Sequence, residues 1–183
     1  MPGVSKRWTY DDLALLPEDG HRHEIIDGKH YLHESPDTTH QRVSLHFILE
    51  IGTYLRDYPV GELYHALLDV VLSQYDVVEP DLMFITNERR EIVTVNNIQG
   101  APDLLVEILS QSNESHDEVT KYALYERAGV GEYWIVDPTR KVIRVFRRNG
   151  GSYLHAVELS KNDTLTSPLF PTLEIPLRRI FTD

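Results

Sequence analysis

The chain has 183 residues, 41% of them hydrophobic and 26% charged, the balance of a soluble globular protein with enough apolar residues for a substantial core. It contains no cysteine, so disulfides and thiolate metal sites are excluded, and His, Asp and Glu remain as possible metal ligands. The formal charge of −11, from 18 Lys and Arg against 29 Asp and Glu, argues against a protein that coats nucleic acid by neutralising phosphates. A nucleic-acid enzyme stays open, because Lys6-Arg7, Arg89-Arg90 or Arg144, Arg147 and Arg148 can form a local basic patch. The first residues, MPGVSKRWTYDDLALL, have no apolar signal region, and no run reaches membrane-spanning length. One soluble, cytoplasmic domain over residues 1–183, with no membrane partner, is expected.

In chain order, Thr9 is placed to cap a short helix over TYDDLALL, acidic in its first turn and closed by Pro17. Residues 23–26 and 30–33 read as a hairpin about Asp27-Gly28, with Glu24 on its first strand. Pro36-Asp37 introduces a helix to about residue 58, ended by Pro59. Its stripe of Ser44, Phe47, Ile48, Ile51, Tyr54 and Leu55 has helical spacing and reads as core. Residues 61–73 read as a strand of mixed pattern, followed by turn residues at 73–76. Residues 77–85 and 104–109 are nearly continuous apolar runs, as in strands buried on both faces, and 87–100 connects them at the sheet edge.

Ser115 and Glu118 make a capping-box signature for a helix to about Ala128, with Gly129 as its stop. GEYWIVDP is a further apolar strand, and KVIRVFRR a more exposed one returning through Asn149-Gly150 to residue 159. The tail, with Pro168, Pro171 and Pro176, reads as extended, adding an edge strand. No repeat, linker or low-complexity tract interrupts this mixed α/β pattern.

Two acids stand where a strand core should carry none: Asp81 in VVEPDLMFI and Glu107 in DLLVEIL. A buried charge is costly unless it is paired or holds a metal. If their strands are neighbours, the two carboxylates converge and repel unless a cation lies between them. Oxygen-only ligation suits Mg²⁺ or Mn²⁺ and points to phosphoryl chemistry. The ordinary alternative is that each acid caps a strand or pairs with an arginine at the sheet rim.

Lys121, fourteen residues after Glu107, shares a helical face with Leu124 and Ala128, and Tyr125 borders it. Such a lysine commonly snorkels to solvent. Over the end of the sheet, its ammonium would instead position a nucleophile or stabilise developing negative charge. Glu24 is a possible further ligand or general base. His40 lies on the face of Phe47 and Ile51, where packing competes with a phosphate contact. The nine histidines show no HExxH spacing, and no P-loop, dinucleotide fingerprint or nucleophile elbow is present.

The order PD, then E-x-L in the next apolar strand, then Lys on the following helix resembles the PD-(D/E)XK nuclease superfamily, and within it the Uma-type restriction-endonuclease-like family. The similar stretches are EIIDGK, SPDTTHQRV, DVVLSQYDVVEPDLMFI and APDLLVEILSQSNESHDEVTKYALYERAGVGEYWIVDP, roughly the first four-fifths of the chain. The resemblance implies a restriction-endonuclease-like fold, with a central mixed β-sheet flanked by helices. It also implies a Mg²⁺- or Mn²⁺-dependent site in which Asp81 and Glu107 hold the metal and Asp81, Glu107, Lys121 and Glu24 carry catalysis. The lysine usual two residues after the second acid is replaced by Leu109, which makes Lys121 its counterpart. His40 and Gln41 match a polar pair of the family and, with Tyr125, are candidate substrate contacts. Lys29 stands where an acidic residue is expected after the hairpin glycine.

The leading expectation is a metal-dependent endonuclease acting on nucleic acid, DNA first, as a homodimer. A catalytically silent nuclease-fold binding or regulatory module is the second, and a purely structural oligomerisation protein the third.

Overall fold

A computed structural model describes residues 6–17, 19–110 and 117–182. Thr9 caps α1 (Tyr10–Leu13), and the Asp12 carboxylate accepts from the Thr9 N–H to close a capping box. β1 (Arg22–Ile26) and β2 (Lys29–His33) form the first hairpin, with Ile26 opposite Lys29. At its turn Asp27 and Gly28 take φ +53° and +73°, the left-handed pair that matches the twist of the strands. Asp37 caps α2 (Thr38–Asp57) by accepting from the His40 N–H.

β3 (Gly61–His65), β4 (Val70–Ser73), β5 (Asp76–Val78) and β6 (Leu82–Thr86) follow, then a 3₁₀ segment (Asn87–Ile92), β7 (Ile98–Gln99) and β8 (Leu104–Ile108). A π-helical turn (Asp117–Lys121) leads into α3 (Tyr122–Ala128), which stops at Gly129 with φ +89°. The capping box expected at Ser115 lies outside the described residues. β9 (Glu132–Asp137), β10 (Val142–Asn149), β11 (Ser152–Tyr153) and β12 (Val157–Ser160) come next, and β13 (Thr164–Leu165) and β14 (Ile175–Pro176) close the chain as a small ribbon.

Among the described residues the strands build two mixed sheets flanked by helices, the expected mixed α/β architecture. One runs β2-β1-β5-β4-β7; the other runs β11-β10-β9-β8-β6-β3, with β12 also on β10. The parallel pairs are β4 with β7 and β8 with β9. Residues 61–73 therefore divide between the sheets, β3 in the second and β4 in the first. Residues 77–85, one strand by their apolarity, divide likewise into β5 and β6. Pro80 lacks an N–H for a ladder, so the chain leaves one sheet after Val78 and enters the other at Leu82.

Alternation along β6 and β8 explains their continuous apolarity. Leu82, Phe84, Leu104, Val106 and Ile108 pack towards Val43, Phe47, Ile51 and Tyr54 of α2. Met83, Ile85 and Leu105 pack on the opposite face with Val70, Val78 and Ile98 of the other sheet and Leu124 and Tyr125 of α3. Both faces are covered, so neither strand tolerates a polar residue without a partner. Of the stripe expected as core, Phe47, Ile51 and Tyr54 are buried, whereas Ser44 and Ile48 line a cavity.

Candidate active site

Three local features bring charged side chains to one end of the sheets. β1 alternates, so Arg22 and Glu24 share a face. β6 pairs antiparallel with β8, Leu82 opposite Val106. Continued by one residue, that register sets Asp81 opposite Glu107, on the face that carries Met83 and Leu105. The π turn delivers Lys121 to the same face from α3's N-terminal side.

The acids then divide into an open and a sealed group. Asp81 is in the open one. Its Oδ1 accepts from Arg22 Nη1 at 2.9 Å. Its Oδ2 accepts from the Ile108 N–H at 2.7 Å and from His40 Nε2 at 3.1 Å. Arg22 Nη1 also donates to the Glu79 carbonyl at 3.0 Å. The sealed group is built on Lys121, whose Nζ donates to Glu24 Oε1 at 2.9 Å and to Glu107 Oε1 at 3.0 Å. The side chains of Lys121, Glu24 and Glu107 are all 0% exposed. The Tyr125 hydroxyl donates to Glu107 Oε1 at 2.6 Å, the Glu79 N–H donates to Glu24 Oε1 at 2.9 Å, and His33 Nε2 lies 2.7 Å from Glu24 Oε2.

These pairings decide the protonation states. Burial alone would push Glu24 up, but the Lys121 ammonium, the His33 hydrogen bond and Arg22 together hold its carboxyl well below the usual range. Burial opposes ionisation of Asp81 too, and His40 and Arg22 outweigh it, leaving the carboxyl lowered. Burial would lower His33 and His40; their carboxylate partners Glu24 and Asp81 raise both instead. At Glu79 the balance goes the other way: burial, Asp69 and Glu24 outweigh Arg22 and the His23 backbone hydrogen bond and push its carboxyl up to about 7. Burial and the neighbouring Glu107 carboxylate hold the Tyr125 phenol well above its ordinary value, so it donates as a neutral hydroxyl.

A cavity of about 690 Å³ opens over Asp81. Arg22, His40, Gln41, His65 and Ser110 line its polar side; Pro36, Leu45, Ile48 and Leu67 line the apolar one. That volume suits a small organic ligand or one nucleotide unit.

Of the residues singled out in the sequence, Asp81, His40 and Gln41 border this cavity. Glu24, Glu107 and Lys121 come together directly beneath, and Tyr125 is completely buried with its hydroxyl on Glu107. Arg22 and His33 were missed. The signal available for Arg22 was its i, i+2 spacing from Glu24 on a strand whose other residues include Ile25 and Ile26.

The sequence matches the family described as "Uma2: Putative restriction endonuclease" over residues 9–178. The chain belongs to the Uma2 family. Its fold is similar to a crystal structure described as "a putative nuclease belonging to DUF820" from Anabaena variabilis ATCC 29413. The TM-score is 0.79 at 20% identity, covering 95% of this chain and 97% of that one. No curated protein matches the chain.

Restriction-endonuclease-like proteins generally use a divalent metal, and the carboxylates of this Uma2 member are the right hard donors for one. Their arrangement does not fit it. Among the described residues, no group of three or more His, Asp or Glu side chains is gathered as metal ligands. Asp81 is neutralised by Arg22 and His40, and Glu107 faces Lys121 and Tyr125. The arginine pairing foreseen as the ordinary alternative is present at Asp81, while Lys121 pairs with Glu24 and Glu107. No helix of the described residues is long and apolar enough to cross a membrane.

Proposed function

We propose that this Uma2 protein is an endonuclease that hydrolyses phosphodiester bonds, in DNA first, within the cavity above Asp81. The observation that carries the reading is the ionised Asp81 carboxylate at the floor of that cavity, between a guanidinium and an imidazole. A guanidinium recognises phosphate oxygens through a planar fork of donors, and Arg22 and Arg42 both border the space. His40 Nε2 holds its proton against Asp81 Oδ2, so a proton lies within reach of a phosphodiester bound there. Gln41, His65 and Ser110 supply neutral polar contacts that would orient the sugar-phosphate. Lys121, Glu24 and Glu107 fix the position of the strands beneath and keep water out. If Mg²⁺ or Mn²⁺ is bound, Asp81 would be the carboxylate that holds it, and the ion would stabilise negative charge developing on the phosphate.

We include in this reading a single domain over 1–183 and a homodimer, which would present two sites to two strands. The test is nicking of supercoiled plasmid with Mg²⁺ or Mn²⁺ by wild type, Asp81→Asn and Lys121→Ala, together with sedimentation of the wild type. Cleavage lost in both variants and in excess chelator is expected. Equal nicking by all three proteins, or nicking unaffected by chelator, overturns the mechanism.

The acids' existing neutralisation by Arg22 and Lys121 favours one other reading, a binding module without turnover. It predicts salt-sensitive DNA binding that persists in both variants and no cleavage under any divalent ion.

A further inference from the structure

The cavity over Asp81 has two unlike sides, and phosphate chemistry accounts for only one of them. Gln41, Ser44, Leu45 and Ile48 recur at i, i+3, i+4 and i+7 along α2, so one flank of that helix is a continuous wall of the space. The segment after β3 adds His65, Ala66 and Leu67. Leu45 is 52% exposed and Leu67 66% exposed, and both border this one space together with Pro36 and Ile48. Single exposed leucines are ordinary, but four apolar residues around one cavity form a patch, and such a patch marks a binding site.

Charge decides what kind of ligand brings an apolar group there. The chain's formal charge is −11, yet the lining sets Arg22, Arg42 and His40 against Asp81 and Glu34. Arg42 is exposed and makes no ion pair with another described residue. An incoming anion therefore meets a guanidinium beside an apolar wall before it reaches the Asp81 carboxylate, which is 4% exposed. A nucleotide joins an anion to a flat apolar face within about 690 Å³. In a continuous duplex those faces are stacked on one another, and a protein meets only sugar, phosphate and the groove edges. A base that has left the stack exposes its faces, and apolar side chains bind it there.

We propose that the apolar side of this cavity holds an unpaired base while Arg42 takes the phosphate beside it, so that the preferred ligand is a single strand and not continuous duplex. This rests on the nucleic-acid reading of the cavity and adds to it the state of the strand. Leucine, isoleucine and proline side chains offer a base no hydrogen bonds, so the wall selects strandedness and not sequence. The apolar wall and the Asp81 carboxylate are separate groups of residues, so strand preference can be altered without touching the acid.

The experiment is fluorescence anisotropy of the whole protein in excess chelator, which keeps metal-dependent hydrolysis out of the measurement. The probes are a labelled mixed-sequence single strand, the same strand annealed to its complement, and thymidine monophosphate as competitor. The wild type should bind the single strand at least about tenfold tighter than the duplex. Leu45→Gln combined with Leu67→Gln replaces exposed side chains only, and should weaken single-strand binding about tenfold while leaving duplex binding unchanged. Arg42→Gln should lower the slope of log affinity against log salt for the single strand by about 1.

Duplex binding as tight as single-strand binding by the wild type overturns the proposal, as does wild-type affinity for the single strand in the folded leucine double variant. Thymidine monophosphate that displaces the strand at equal concentration also overturns it and assigns the cavity to free nucleotides. A dimer lost from the double variant with strand binding intact overturns it and assigns the apolar wall to a second copy. The outcome is separable from the nuclease reading. Single-strand preference without plasmid nicking rejects catalysis alone, whereas nicking without strand preference rejects this proposal alone.

Discussion

The Ile108 N–H donates to Asp81 Oδ2 over 2.7 Å, tying the segment between the two sheets to the strand that carries Glu107. One acid is therefore positioned by the backbone next to the other. Asp81→Ala removes the acceptor for this N–H, for Arg22 and for His40 together. It should destabilise the fold by about 3–5 kcal/mol, as removing one partner of a buried charge pair does. Asp81→Asn keeps an oxygen and should cost about 1–3 kcal/mol. Urea denaturation checks both, and plasmid nicking by Asp81→Asn should fall on the order of 10²-fold or more.

Lys121 neutralises two buried carboxylates at once. Lys121→Met should cost about 3–5 kcal/mol, because Glu24 and Glu107 then face each other without their shared cation. Adding Glu107→Gln to that variant should recover part of the loss. A double-mutant cycle from denaturation midpoints reads the coupling, and strict additivity would contradict it.

The Asp81–His40 pair has a calculable pH window. Asp81 is lowered on folding, so its contribution is present above the unfolded carboxylate value of about 4 and is lost as pH falls through the lowered one. His40 is raised on folding, so its contribution is complete below about pH 6.5 and fades as pH rises through the raised value. The stability difference between wild type and His40→Gln should thus be largest near pH 5–6 and shrink as pH rises through the raised imidazole value. Chemical denaturation at several pH values measures it.

Glu79 behaves oppositely. Its folded carboxyl is pushed up to about 7, so the native state binds a proton more tightly than the unfolded chain, and stability falls as pH rises from about 4.5 to beyond 7. Glu79→Gln removes this liability. It should match wild type near pH 4 and exceed it at pH 9, by up to about 3 kcal/mol. Thermal melts across that range would show an unchanged pH slope if the assignment is wrong.

Asp81 and Glu107 were legible in the sequence because each interrupts an apolar run, and a run without a partner for its charge demands an explanation. Lys121 was legible by position alone. The division of residues 77–85 between two sheets was not. Apolarity reports burial and says nothing of which sheet does the burying, so residues 77–85 read as one strand although Pro80 sits at the break. Arg22 and His33 escaped notice because a hairpin rich in charged and imidazole side chains looks like a solvated edge. Its inward face shows only once β5 pairs with β1 and closes over Glu24. Ser44 and Ile48 fit the α2 stripe by spacing, but the buried face is the one that carries Val43, Phe47, Ile51 and Tyr54, and Ser44 and Ile48 stand at its flank, on the cavity.

The three residues Glu79, Pro80 and Asp81 act as a ruler. They span the gap between β5 and β6, and their number fixes the phase with which β6 enters its ladder against β8. Because side chains alternate with a period of two, one residue inserted before Leu82 would turn Asp81 away from Arg22 and His40 while leaving every residue's identity intact. Spacer length at this crossing is therefore under tighter constraint than its composition, and a length variant should lose the site while retaining both cores.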